Sequence, residues 1–222
     1  SETQTEGISA VEDDFGHGTH VAGIIAADQD NLAGGCGIAP NAALMVIKAN
    51  QAGEGSFTGD SLIRAIYYAA DHGADIINLG LGRPAYTGSN AAEKQAIDYA
   101  LAKGVMIVAA AGNESESAVG YPAAYANVLS VSASTINGTF ASYSNYGAVD
   151  ICAPGSDIYS TLPGDTFGKL SGTSMATPVV VGALALLRTA YPDETPDQIQ
   201  TRLLSTAQDF GTAGYDPYFG NG

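Results

Sequence analysis

Short apolar, β-branched runs alternate along this chain with stretches of helical periodicity. The runs 43–47 (Ala-Leu-Met-Val-Ile), 75–79, 105–109 and 128–131 are nearly continuous in apolar residues, which predicts strands covered on both faces. Between them, residues 59–71 and 90–103 carry apolar positions at helical spacing, the second stopped by Gly104. Near the carboxyl end, Thr195-Pro196-Asp197-Gln198 offers an N-cap, a proline at the first helical position and a capping-box glutamine, predicting a helix to about Ala207. The longest apolar run, around 175–187, is too short to span a bilayer and suits a buried core helix. Strand–helix–strand alternation predicts an α/β fold: a mostly parallel central sheet with helices on both faces, in three α/β/α layers. Without repeats, low-complexity tracts or linkers, residues 1–222 read as a single domain.

Composition narrows the partners. The formal charge of −15 arises from 8 basic against 23 acidic residues, so the clustered cations that contact phosphates are missing and nucleic-acid binding is disfavoured. An apolar content of 45% with 28 glycines fits a compact protein rich in tight turns. The two cysteines, Cys36 and Cys152, read more readily as buried thiols than as a disulfide. No signal-peptide pattern opens the chain; if this is the mature form of a secreted protein, its leader has been removed.

Three motifs carry chemistry. Gly172-Thr173-Ser174-Met175-Ala176-Thr177-Pro178 puts a glycine-flanked serine at the start of the buried helix, where unpaired N–H groups favour a developing oxyanion. Gly16-His17-Gly18-Thr19-His20 presents His17 as a lightly shielded general base, with His20 the packing residue one turn on. Ala109-Ala110-Ala111-Gly112-Asn113 ends an apolar strand in an asparagine that could hold a turn or donate a side-chain N–H to an oxyanion. In parallel α/β sheets such groups gather at the carboxyl ends of strands. An α/β-hydrolase elbow would need Gly in place of Ala176, and a chymotrypsin-type enzyme would be all-β.

In this order the motifs resemble those of the subtilisin-like serine proteases, the subtilases, over nearly the whole chain. The resemblance implies a serine endopeptidase working through an acyl-enzyme, with Ser174 as nucleophile, His17 as base and Asn113 as oxyanion donor. It implies that Gly80-Leu81-Gly82 and Gly53 with Gly55 flank an extended polypeptide substrate. Ala110, Gly112 and Gly120 would line a roomy, uncharged primary pocket that takes large apolar residues. Two structural calcium sites are implied, one at Asp28, Asp30 and Asn31, the other at the carbonyls of Ala123, Tyr125 and Val128 near Asp150. A solvated acidic turn would leave the same residues at 28–31. The implied partners are polypeptide substrates and the protein's own amino-terminal segment or propeptide, with no nucleic acid and no membrane, outside the cell.

One family feature departs. The triad's acid lies upstream on a strand ending in Asp-Thr-Gly or Asp-Ser-Gly, a tripeptide absent here, and Asp13 and Asp14 belong to the polar lead-in of the His17 motif. The expectation is therefore an incomplete catalytic domain, nearly inactive and poorly stable by itself. The alternative is a peptide-binding pseudoprotease that lacks the acid.

Overall fold

The computed structural model describes residues 11–51 and 54–222. Its central sheet is four-stranded and parallel, in the order β1 (Ile76–Leu79), β2 (Met106–Ala110), β3 (Leu129–Ser134) and β4 (Ile151–Pro154). Leu79 pairs with Ala109, Ala110 with Val131, and Ser134 with Pro154, so the carboxyl ends of these strands lie along one edge.

The alternation of β2 builds the three layers. Ile107 and Ala109 point to one face, where they pack with Leu62 and Ile66 of α2 (Gly59–Asp71) and with Ala96, Ile97 and Ala100 of α3 (Ala91–Ala102). Met106 and Val108 point to the other face, against Ala176, Val180 and Leu184 of α4 (Thr173–Ala190) and Ile199 of α5 (Pro196–Thr206). This is the three-layer α/β/α arrangement of subtilisin-like proteins. Helix α4 has the length and apolarity of a membrane span, yet it packs across all four strands and against α1 (His17–Ala26) and α5, as a core helix does. The capping box at Thr195 and Gln198 forms as the sequence predicts.

Two sequence expectations are corrected. Residues 43–47 form no strand: Leu44, Met45 and Val46 are exposed at 43%, 42% and 55%, and no described strand pairs with them. Apolar, β-branched residues favour a strand only where a neighbour supplies ladder hydrogen bonds and cover; here Ile47 alone packs on the core beside α2. Cys36 is an exposed free thiol rather than a buried one, and Cys152 is free and half-buried in β4.

The remaining pair of strands, β5 (Ile158–Leu162) and β6 (Thr166–Leu170), forms a separate antiparallel hairpin that grips α1. The Ser160 and Thr161 hydroxyls donate to the carbonyls of His20 and Thr19, both at 2.8 Å. His20, fully buried, approaches the carbonyls of Ile158 at 3.0 Å and Gly168 at 3.2 Å through Nε2. Both hairpin strands are thereby tied to the helix that begins at His17.

Candidate active site

Helix α1 begins at His17 without a side-chain cap from its own N-cap residue, Gly16, which is left-handed at φ 95°. The missing cap comes from Asp13. One carboxylate oxygen accepts the N–H groups of Phe15 (3.0 Å) and Gly16 (2.8 Å), and the other accepts the N–H (2.8 Å) and hydroxyl (2.7 Å) of Thr19. Partial burial pushes the Asp13 carboxyl up, but these donors outweigh it and hold the group at about 2. Burial pushes the His17 imidazole below its ordinary value, nearby His20 adds to this, and the Asp13 charge opposes it. A depressed imidazole is neutral at neutral pH, which is the form a general base needs.

Ser174 is the second residue of α4, so its N–H belongs to the first turn, where no intrahelical acceptor exists. Pro178, four residues on, has no N–H to offer the Ser174 carbonyl. That carbonyl faces Gly80, where a Cβ would lie 3.2 Å from it. A bare backbone at Gly80 therefore lets the end of β1 run directly beside the serine.

Asn113 is fixed to the same helix start. Its Oδ1 accepts the N–H of Thr173 at 2.9 Å and the Thr173 hydroxyl at 3.0 Å, so Asn113 caps α4 from another segment of the chain. With Oδ1 engaged on Thr173, the exposed amide keeps Nδ2 as its donor. The turn beneath is held by fully buried Asn145, whose Oδ1 accepts the N–H groups of Glu114 and Glu116, both at 3.0 Å, and whose amide donates to Glu114 at 2.7 Å. Gly112, at φ 114°, makes this possible: a Cβ there would lie 2.2 Å from Asn145 Nδ2. Met175, beside Ser174, packs with Val21 and Ile24 of α1, one and two turns from His17. The two helix starts are thus coupled through a small core of their own.

The pocket residues expected from the sequence also converge. Gly120 donates its N–H to the Ala111 carbonyl at 2.8 Å, and a Cβ on Gly82 would lie 3.0 Å from the Tyr121 carbonyl. Segments 80–82, 110–112 and 120–121 therefore approach closely at their glycines, while Leu81 and Tyr121 pack on the core. Gly55 lies against the ring of Phe15, two residues before His17, while Gly53 is outside the described residues.

The expected calcium ligands are less well gathered. Asp28 and Asn31 line a cavity of about 340 Å³ beside Leu44 and Phe167, but Asn31 Oδ1 already accepts the Ala33 N–H at 3.0 Å. In the second set, Asp150 accepts the N–H and hydroxyl of Ser130 at 2.7 and 2.6 Å, and the Tyr125 carbonyl accepts the Val128 N–H. Among the described residues no three His, Cys, Asp or Glu side chains cluster, so a calcium site here would rest largely on carbonyl oxygens.

Thr173 and Asn145 act through hydrogen bonds that no local sequence pattern announces. Asp13, whose partners lie two to six positions on, and Glu114, which accepts the Asn113 N–H at 3.0 Å from the adjacent position, could have been suspected.

A glycine-flanked serine at one helix start, a histidine at another and a glycine-rich strand edge are the parts that a hydrolase of extended polypeptides would need. The subtilase family profile matches residues 1–222. The chain is 45% identical over 209 residues to subtilisin DY of Bacillus licheniformis, covering 91% of this chain and 74% of that protein. It is 43% identical to an alkaline protease of Alkalihalobacillus alcalophilus, with coverages of 93% and 53%. The solved S41 psychrophilic protease superposes with a TM-score of 0.85 at 33% identity, covering 95% of this chain and 77% of that one. The chain belongs to the subtilase family of serine endopeptidases.

Proposed function

We propose that Ser174 attacks the substrate carbonyl, with His17 taking its proton and returning it to the leaving amine. The oxyanion is received by Asn113 Nδ2 and the Ser174 N–H. The observation that carries this reading is the pair of hydrogen bonds that the Thr173 N–H and hydroxyl donate to Asn113 Oδ1, which orients the amide beside the serine before any substrate arrives. Preorganised donors cost no rearrangement as charge develops. Asp13 is not the triad's acid, because both of its oxygens are engaged in capping α1. Under this reading the acid comes from the strand that the family places ahead of the His17 motif.

Extended peptide pairs with the backbone of Gly80-Leu81-Gly82, with Gly53 and Gly55 on the opposite side. Its P1 side chain enters the space between Ala110–Gly112 and Gly120, where no charged residue demands a partner, so large apolar residues are preferred. Secretion, and engagement by a propeptide, belong to the same reading, supported by the likeness to bacterial subtilisins and alkaline proteases. For calcium, Asp28, Asp30 and Asn31 would be part of a site, but a shell of about six to eight oxygens needs donors beyond them. Asp150 and the carbonyls near it fit a calcium site poorly, and no step of the chemistry uses the ion.

The test is a burst experiment with the full-length protein and an activated ester of an N-acyl phenylalanine. A stoichiometric burst of leaving group, followed by slower turnover, is expected from an acyl-enzyme. Its loss in Ser174→Ala and persistence in Ser171→Ala would place the acyl group; a burst surviving Ser174→Ala would refute the assignment.

A further inference from the structure

Outside the reacting groups, an ion pair behind the pocket joins a buried carboxylate to a half-buried guanidinium. Glu93, in the first turn of α3, is only 3% exposed. Its Oε2 accepts from Arg83 Nη1 at 2.5 Å, and its Oε1 is buried with no hydrogen-bond partner. A half-satisfied buried carboxylate is a poor device for stability alone, since an apolar pair of similar shape commonly does as well or better. Its geometry instead joins segments that carry the pocket.

Arg83 directly follows the Gly80–Gly82 edge. Its N–H donates to the Tyr121 carbonyl at 2.8 Å, and its own carbonyl accepts the Tyr121 N–H at 3.0 Å, a two-way antiparallel bridge. Gly120, at the pocket floor, lies so close that a Cβ there would be 2.6 Å from the Arg83 carbonyl. The guanidinium also lies over the Tyr121 ring, 5.3 Å from its centroid. Nη2 donates to the Gly88 carbonyl at 3.3 Å and to the Tyr125 hydroxyl at 3.4 Å. That hydroxyl accepts the Asn90 N–H at 2.8 Å and donates to the Asn90 carbonyl at 3.1 Å. Asn90 in turn caps α3 through Ala92 and Glu93. One cation thus links the substrate-pairing edge, the floor and the start of α3.

We propose that the Arg83–Glu93 pair is a positioning clamp that fixes the width of the primary specificity pocket and so sets the preference for large apolar P1 residues. The clamp rests on the reading that Gly80–Gly82, Ala110–Gly112 and Gly120 line that pocket. Neither residue touches the substrate; each acts through the backbone of 82–83 and 120–121. Releasing the guanidinium lets the Tyr121 side of the floor separate from the strand edge, so a bulky P1 side chain loses its complementary walls. A small P1 residue makes few contacts there and loses little.

The experiment uses the full-length protease and two peptide anilides that differ only in P1, phenylalanine or alanine. The variants are Arg83→Lys, Glu93→Gln and the double variant Arg83→Met/Glu93→Leu, which removes both charges and so leaves no buried ion unpaired. Melting curves accompany the kinetics. In the double variant, the phenylalanine-over-alanine ratio of kcat/KM is expected to fall about tenfold or more, carried by KM for the phenylalanine substrate. Arg83→Lys keeps the charge without the forked donors and should recover part of the ratio. A folded double variant with the wild-type ratio overturns the clamp while leaving the pocket reading intact. A wild-type enzyme with no preference between the two substrates overturns the pocket reading, and the clamp with it.

Discussion

Asn113 performs two tasks that one substitution can separate. Its Oδ1 caps α4 through Thr173, and its Nδ2 is the proposed oxyanion donor. Asn113→Ala removes both. Losing a helix cap costs about 0.5–2 kcal/mol, and the fully buried Thr173 hydroxyl loses an acceptor as well, so a destabilisation of about 1–3 kcal/mol is expected. At this chain length that lowers Tm by about 3–10 °C. Turnover should fall about 10²–10³, a value known from a subtilisin's oxyanion asparagine rather than worked out from this geometry. Asn113→Asp keeps the acceptor, and its negative charge suits a helix start, so the cap and Tm should survive. It lacks the donor and repels an oxyanion, so turnover should fall at least as far as in the alanine variant. Thermal unfolding and kcat on one peptide anilide, measured for both variants, decide the matter. An aspartate variant with near wild-type turnover would refute the donor role, and one as unstable as alanine would refute the cap.

Other predictions follow from the same geometry. In residues 1–222, where among the described residues no triad carboxylate adjoins it, the His17 imidazole is held below its ordinary value, so an NMR titration of this chain should place its midpoint below pH 6.5. Because the folded state disfavours His17 protonation, this group's contribution to stability is full above that pH and declines as pH falls toward the lowered folded value. Asp13→Asn should cost about 1 kcal/mol once solvent screening is allowed for, at pH values above about 4, with the difference vanishing as pH falls through about 2; denaturant titrations against pH test this. Gly112→Ala combines a disfavoured φ of 114° with a 2.2 Å clash against Asn145, so a loss of about 3 kcal/mol or more should appear in chemical unfolding. Iodoacetamide should modify exposed Cys36 quickly and spare Cys152, whose thiol burial pushes up, as peptide mass mapping of the native protein would reveal.

Much of this was legible in the sequence, because the elements that carry it announce themselves locally. The helices at 59–71 and 196–206 have caps and periodicity of their own, and the strands at 76–79 and 106–110 are apolar on both faces because helices cover both. His17, Asn113 and Ser174 stand in short glycine-bracketed motifs, so their placement at two helix starts and a strand end could be read directly. The hairpin 158–170 was missed because its strands are half-exposed and mix Ser, Thr, Gly and Lys with single apolar residues, giving no apolar run to find. Residues 43–47 misled for the opposite reason: their composition is that of a strand, but a strand exists only by pairing. The groups that hold the site together are long-range. Thr173 reaches Asn113 across 60 positions, Asn145 reaches Glu114 across 31, and His20 reaches Gly168 across 148. Arg83 and Glu93 are only ten positions apart, yet nothing in their spacing shows that both turn inward behind the pocket.

The central claim is that Ser174 is a nucleophile activated by His17, and covalent labelling tests it most directly. The full-length protein is incubated with a fluorophosphonate and the modified residue is located by peptide mass mapping. One label per molecule at Ser174 is expected, formed rapidly in the native protein and slowed by several orders of magnitude in His17→Ala. Labelling of Ser174 at an unchanged rate in His17→Ala, or a label on any other residue, would contradict the account.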